Sequence, residues 1–175
     1  MIKSKKNILI IIILILIANG GFSQDNNKVL PSVDIKTIDG KSFNTSSISN
    51  DGKPIILSFW STWCKPCIKE LTTIAELYGD WQKETGVKII IVSVDDSRTT
   101  LNVKPFVEGN DWTYEVLLDA NSDFKRAMNV NLIPHTFILN GKGQVVWQHT
   151  SFTEGSEIEL INIIRKIIKG EAIDK

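Results

Sequence analysis

The sequence predicts an α/β protein, a sheet flanked by helices and assembled in the order βαβ then ββα. Three observations lead there. An amphipathic stretch between about residues 64 and 83 separates two apolar runs, Ile55-Ile56-Leu57 and Ile89-Ile90-Ile91-Val92. Short runs that are apolar throughout suit parallel strands covered on both faces. The chain then closes with two strand patterns around Asn140-Gly141-Lys142-Gly143 and a final amphipathic helix.

Residues 1–23 read as a secretory signal peptide. Lys3, Lys5 and Lys6 precede the apolar run from Ile8 to Ala18, and Gly21 and Ser23 supply small residues before a cut at Gln24. The run is 11 residues long, whereas a membrane-spanning helix needs about 20. An uncleaved anchor is the alternative, and only then would the protein touch a membrane. The address implied is periplasmic or otherwise exported. Of 175 residues, 42% are hydrophobic and 23% charged, the composition of a soluble globular domain. Beyond the leader, 17 basic face 20 acidic side chains, and that balance points away from nucleic acid.

After a polar lead-in over 24–28, Val33, Ile35 and Thr37 alternate with polar neighbours. Asp39-Gly40 then turns the chain into Lys41-Ser42-Phe43, an N-terminal β-hairpin. The loop Asn50-Asp51-Gly52-Lys53-Pro54 launches the strand at 55–60. The long helix carries apolar residues at 67, 68, 71, 74, 75, 78 and 81, one stripe at helical spacing. Pro66 falls in its first turn, where the missing N–H is harmless, and Gly86 marks its exit. A strand follows at 87–94. An insertion over 97–121 holds a weak helix limited by Pro105 and a short strand, with Trp112 as packing; a short helix is expected at 123–128. The hairpin strands are expected at 136–139 and 144–149. Ser156 opens the last helix, with Glu159 placed for a capping box and Leu160, Ile161, Ile164, Ile167 and Ile168 buried.

The only cysteines lie in Trp63-Cys64-Lys65-Pro66-Cys67, where a strand gives way to the long helix. That is the layout of a thiol–disulfide redox site. A helix N-terminus brings unpaired N–H groups and a positive partial charge to the first sulfur, which favours the reactive thiolate. The bland alternatives are weaker. A structural disulfide across two residues closes a loop too small to constrain the unfolded chain much. Zinc would need four ligands, and His135 and His149 could complete such a set only by spatial accident.

With Ile133-Pro134 before the final hairpin and helix, these residues resemble the thioredoxin fold. The run Phe59-Trp60-Ser61-Thr62-Trp63, the N-terminal hairpin and the insertion are similar to exported thiol–disulfide reductases of the TlpA/ResA type. The resemblance implies one thioredoxin-like domain over 24–175, with Cys64 attacking, Cys67 resolving and a Cys64–Cys67 disulfide in the oxidised state. It also implies a cis Ile133–Pro134 bond opposite the cysteines. Trp63, Lys65, Pro66, Ile133, Pro134 and His135 are then expected to meet the substrate.

Cytoplasmic thioredoxin has a buried aspartate where this chain has Ser58. Here Glu70 stands three residues after Cys67, beside it on the helix. A carboxylate there can accept the proton of the resolving thiol; a solvated helix acid is the plain reading. His135 replaces the threonine common after the cis-proline, and a loop or strand-capping role is favoured over tuning the thiolate. Asp95-Asp96 reads as a solvated turn at the end of a buried strand, and His149 has no assigned role.

The expected activity is reduction of disulfides in exported client proteins, with no metal or organic cofactor because the cysteine pair is itself the couple. A membrane thiol donor would re-reduce it. One rival is a peroxiredoxin-like peroxidase, whose P-x-x-x-T-x-x-C pattern would need Pro and Thr where the chain has Leu57 and Ser61. The other is a copper-binding chaperone using Cys64, Cys67 and His135 as ligands.

Overall fold

The computed structural model describes residues 28–173. The signal peptide read over 1–23 lies outside the described residues. Among those described, no helix is long and apolar enough to cross a membrane.

One eight-stranded sheet organises the molecule. Its strands, in chain order, are β1 (Lys28–Val29), β2 (Asp34–Thr37), β3 (Ser42–Asn44), β4 (Ile55–Trp60), β5 (Lys88–Ser93), β6 (Glu115–Leu118), β7 (His135–Leu139) and β8 (Gln144–Thr150). The spatial order is β1-β8-β7-β4-β5-β6-β2-β3. Strands β4, β5 and β6 run parallel, and the remaining pairings are antiparallel. The helices are α1 (Lys65–Thr85), α2 (Val103–Gly109), α3 (Asp123–Ala127) and α4 (Ser156–Lys169). The thioredoxin-like fold expected from the sequence is the fold observed.

The two apolar runs occupy the centre because both of their faces are covered. Ile56, Trp60, Ile89 and Ile91 meet the α1 stripe of Cys67, Leu71, Ile74, Tyr78 and Trp81 and the α4 stripe of Leu160, Ile161 and Ile164. Ile55, Leu57, Phe59, Ile90 and Val92 point the other way and pack with Phe124, Met128 and Phe137. This two-sided burial is what a side-chain period of two produces in a central strand. Trp112 fills the insertion side, edge-on to Trp60 with ring centroids 5.3 Å apart.

Four expectations change in detail. The lead-in ends in a short strand, since Lys28 and Val29 pair with Val145 and Gln144. The N-terminal hairpin joins the main sheet through Lys36 and Thr37, which pair with Leu118 and Leu117. The capping box does not form. Gly155, at φ 92°, is the N-cap of α4, and its N–H donates to Glu157 Oε2 at 3.0 Å rather than engaging Glu159. Finally, Ile163 is buried while Ile168, in the last turn, is 51% exposed. Its helical direction matches Ile161 and Ile164, but the cover over that stripe has ended by the last turn.

Candidate active site

Strand β4 ends at Trp60, and the next four residues carry the chain to α1. Cys64 is the N-cap of that helix, with extended backbone and its Sγ accepting from the Cys67 N–H at 3.3 Å. Lys65 and Pro66 fill the first helical positions, so the ring of Pro66 displaces no hydrogen bond. Cys64 and Cys67 are joined in a disulfide. Cys67 is fully buried, whereas Cys64 retains 6% exposure and is the more accessible sulfur. Around it, Lys65 and Pro66 are exposed, and Trp63 stands out at 63%.

The Ile133–Pro134 bond is cis. Pairing of Phe59 with His135 sets Pro134 at the end of the sheet where β4 gives way to the cysteine loop. Ile133 packs against the cluster that contains both cysteines, and Leu132 beside it is exposed. The Pro134 carbonyl accepts from the Ser151 N–H at 2.9 Å.

Below the disulfide, the α1 face of the sheet carries a polar island in an otherwise apolar layer. Ser58 and Thr136 are cross-strand partners, and both turn toward Glu70. Thr136 Oγ1 lies 3.1 Å from Glu70 Oε1 and 3.1 Å from Ser58 Oγ. Glu70 is only 3% exposed, and its Oε2 is buried without a hydrogen-bond partner among the described residues. Burial disfavours the charged form and pushes the Glu70 carboxyl up to about 7, with the Thr136 hydrogen bond opposing. The plain reading of Glu70 as a solvated acid is therefore excluded.

His135 lies elsewhere. Alternation along β7 puts Thr136 and Ile138 on the α1 side and His135 and Phe137 on the opposite face. The His135 ring packs on Phe137 at 4.5 Å, and its Nδ1 is 2.9 Å from Thr150 Oγ1. Burial lowers its affinity for a proton. His149 pairs across the ladder with Thr136 and stacks on Trp147.

Two site features were missed from sequence. Thr136 reads there as an ordinary strand residue, and only the β4–β7 register reveals it as the partner of Glu70. Asp95 reads there as part of a solvated turn, yet it is fully buried. Its Oδ2 accepts from the Thr62 N–H at 2.9 Å and from Ser93 Oγ at 2.8 Å, and its Oδ1 accepts from Thr62 Oγ1 at 2.6 Å. Only Asp96 behaves as a turn residue, pairing with Arg98 at the surface.

A cysteine pair that closes a disulfide across a helix N-terminus, on a thioredoxin-like sheet, defines the class of thiol–disulfide oxidoreductases. The chain belongs to the AhpC/TSA family, whose model matches residues 27–148, and within it to the ResA-like oxidoreductases. It is 32% identical over 155 residues to the thiol-disulfide oxidoreductase ResA of Bacillus cereus, covering 81% of this chain and 87% of that one. It is also 32% identical to the sporulation thiol-disulfide oxidoreductase A of Bacillus subtilis over 125 residues, 70% of this chain and 73% of that one. Among solved structures, an uncharacterized thioredoxin-like protein from Porphyromonas gingivalis shares 53% identity at a TM-score of 0.73. That match covers 82% of this chain and 94% of the other. The protein is a thiol–disulfide oxidoreductase, and these relatives do not favour the peroxidase or copper-chaperone alternatives.

Proposed function

We propose that this oxidoreductase works outside the cytoplasm, in a periplasm or equivalent compartment, as a reductase of disulfides in exported proteins. The observation that carries the reading is a protonatable carboxyl, Glu70, buried one helical turn beyond the resolving cysteine. In the reduced protein, the Cys64 thiolate attacks one sulfur of a client disulfide. A mixed disulfide forms and the first client thiolate leaves. Glu70 takes the Cys67 proton as the Cys67 sulfur attacks Cys64 Sγ, and the second client thiolate departs. Two electrons pass from the dithiol to the client, leaving Cys64–Cys67 oxidised.

No metal or organic cofactor enters this cycle. A membrane thiol donor returns the electrons through the same pair. The client meets Trp63, Lys65 and Pro66 on one side and Ile133 and Pro134 on the other. Since Pro134 O is already bonded to Ser151, the Ile133 backbone is the better partner for an extended client segment. His135, half-buried, contacts the client only through its remaining exposed surface.

Turnover of insulin disulfides by the pre-reduced protein tests this directly. Stoichiometric reduction is expected, abolished by Cys64→Ser. Peroxide consumption without insulin reduction, or tight copper(I) binding without either activity, would replace the reading with one of its rivals.

A further inference from the structure

We propose that Asp95 is a positioning residue for the cysteine couple, bracketing Thr62 so that Cys64 stays seated at the N-terminus of α1. The inference rests on the dithiol reading above and concerns a residue that the cycle itself does not use.

The segment from Ser61 to Trp63 lies outside any strand or helix, yet it fixes where Cys64 sits. Three groups of bonds hold it. The Val94 N–H donates to Trp60 O at 2.9 Å, and the Cys64 N–H donates to Ser61 O at 3.1 Å. The third is Asp95, whose two carboxylate oxygens both engage Thr62, one through the backbone N–H and one through the hydroxyl. A two-point grip fixes orientation as well as distance, and bonds to a carboxylate are stronger than those between neutral groups.

Asp95 is itself held. Ser93 Oγ donates to Oδ2 at 2.8 Å, and the Asp95 N–H donates back to Ser93 Oγ at 3.1 Å. No basic side chain pairs with Asp95 among the described residues. A fully buried carboxyl group is costly to keep, and all three of its acceptor contacts are spent on Ser93 and on a loop residue two positions before the attacking cysteine. The bracket therefore links the end of β5 to the cysteine loop across the parallel β4–β5 pair, where Trp60 lies opposite Ser93.

The chemical consequence runs through the helix terminus. In the reduced protein, the Cys64 thiolate is stabilised by the N–H groups of the first turn, the contact seen between Sγ and the Cys67 N–H. Releasing Thr62 lets Cys64 leave that position for part of the time. The thiolate then loses its donors, and the Cys64 pKa rises.

The test is a pH series of iodoacetamide alkylation of reduced Cys64 in Thr62→Val, Thr62→Ser and Asp95→Asn. Thr62→Val keeps the side-chain shape and removes the hydroxyl; Thr62→Ser restores it. We expect the Cys64 pKa to rise by about one unit in Thr62→Val, a tenfold smaller thiolate fraction below that pKa. Thr62→Ser should remain within a few tenths of native. Asp95→Asn should shift at least as far as Thr62→Val, and if it fails to fold the threonine pair decides. A native pKa in Thr62→Val overturns the proposal, as does an equal rise in Thr62→Val and Thr62→Ser. Insulin reduction by the unaltered protein is measured alongside. Its absence would defeat the dithiol-reductase reading, while the alkylation series would still decide the bracket.

Discussion

Glu70 concentrates the chemistry of a single residue. It sits on the buried side of α1, bonded to Thr136, whose hydroxyl also bonds Ser58. Its carboxyl shifts from an ordinary 4.5 to about 7 because burial penalises the charge. The folded protein holds this proton more tightly than the unfolded chain, so between pH 4.5 and 7 the unfolded state binds fewer protons and stability falls as pH rises. The loss across that window is on the order of 3 kcal/mol. Glu70→Gln should abolish that slope and be the more stable protein at pH 8, which urea titrations at pH 4.5 and 8 would check. The same variant should slow mixed-disulfide breakdown by about a hundredfold, the low end of general-base effects. In the native protein that step should accelerate from pH 6 to 8 as Glu70 ionises; in Glu70→Gln stopped-flow traces should lose the rise. An unchanged pH profile would assign the proton to another acceptor.

At the scale of elements, the α1 stripe and the two apolar strands were legible because each is a local period in the sequence, 3.6 for Cys67, Leu71, Ile74, Tyr78 and Trp81 and an unbroken run for Ile89 to Val92. The cysteines announced the helix start, and Glu70 was visible as three positions further on. What the sequence concealed depends on register between distant strands. Nothing local tells Thr136 that it faces Ser58, or Asp95 that Thr62 comes within reach. Nothing local pairs Val29 with Gln144 either. One such non-local contact gives a sharp prediction. A Cβ at Gly141 would stand 1.9 Å from the Gly52 carbonyl oxygen, backbone against backbone, whereas one at Gly79 on α1 meets nothing within 4 Å. Gly141→Ala must force the β7–β8 turn away from the loop before β4, and we expect a loss of about 2 kcal/mol, in the range of overpacking. Gly79→Ala should instead gain up to about 1 kcal/mol from helix propensity. Denaturant midpoints of the two variants decide it; equal midpoints would mean that the turn yields freely.

For the molecule as a whole, the sheet brings both cysteines and the Ile133–Pro134 segment to one end, and of the two cysteines only Cys64 retains exposure. That asymmetry has a consequence for trapping. If Cys64 attacks and Cys67 resolves, Cys67→Ser halts the cycle at the mixed disulfide, because no second thiol remains to displace the client. Expressed in its own host and collected with thiols blocked, this variant should accumulate covalent adducts that dissolve under reductant. Cys64→Ser should trap far less, since Cys67 is fully buried on the inner face of α1. Trp63→Ala combined with Cys67→Ser should lower adduct yield without changing alkylation of Cys64, separating docking from chemistry. Mass spectrometry of the adducts would then name the disulfide-bearing proteins that Cys64 attacks. Equal trapping by the two single variants would reverse the assigned roles of Cys64 and Cys67.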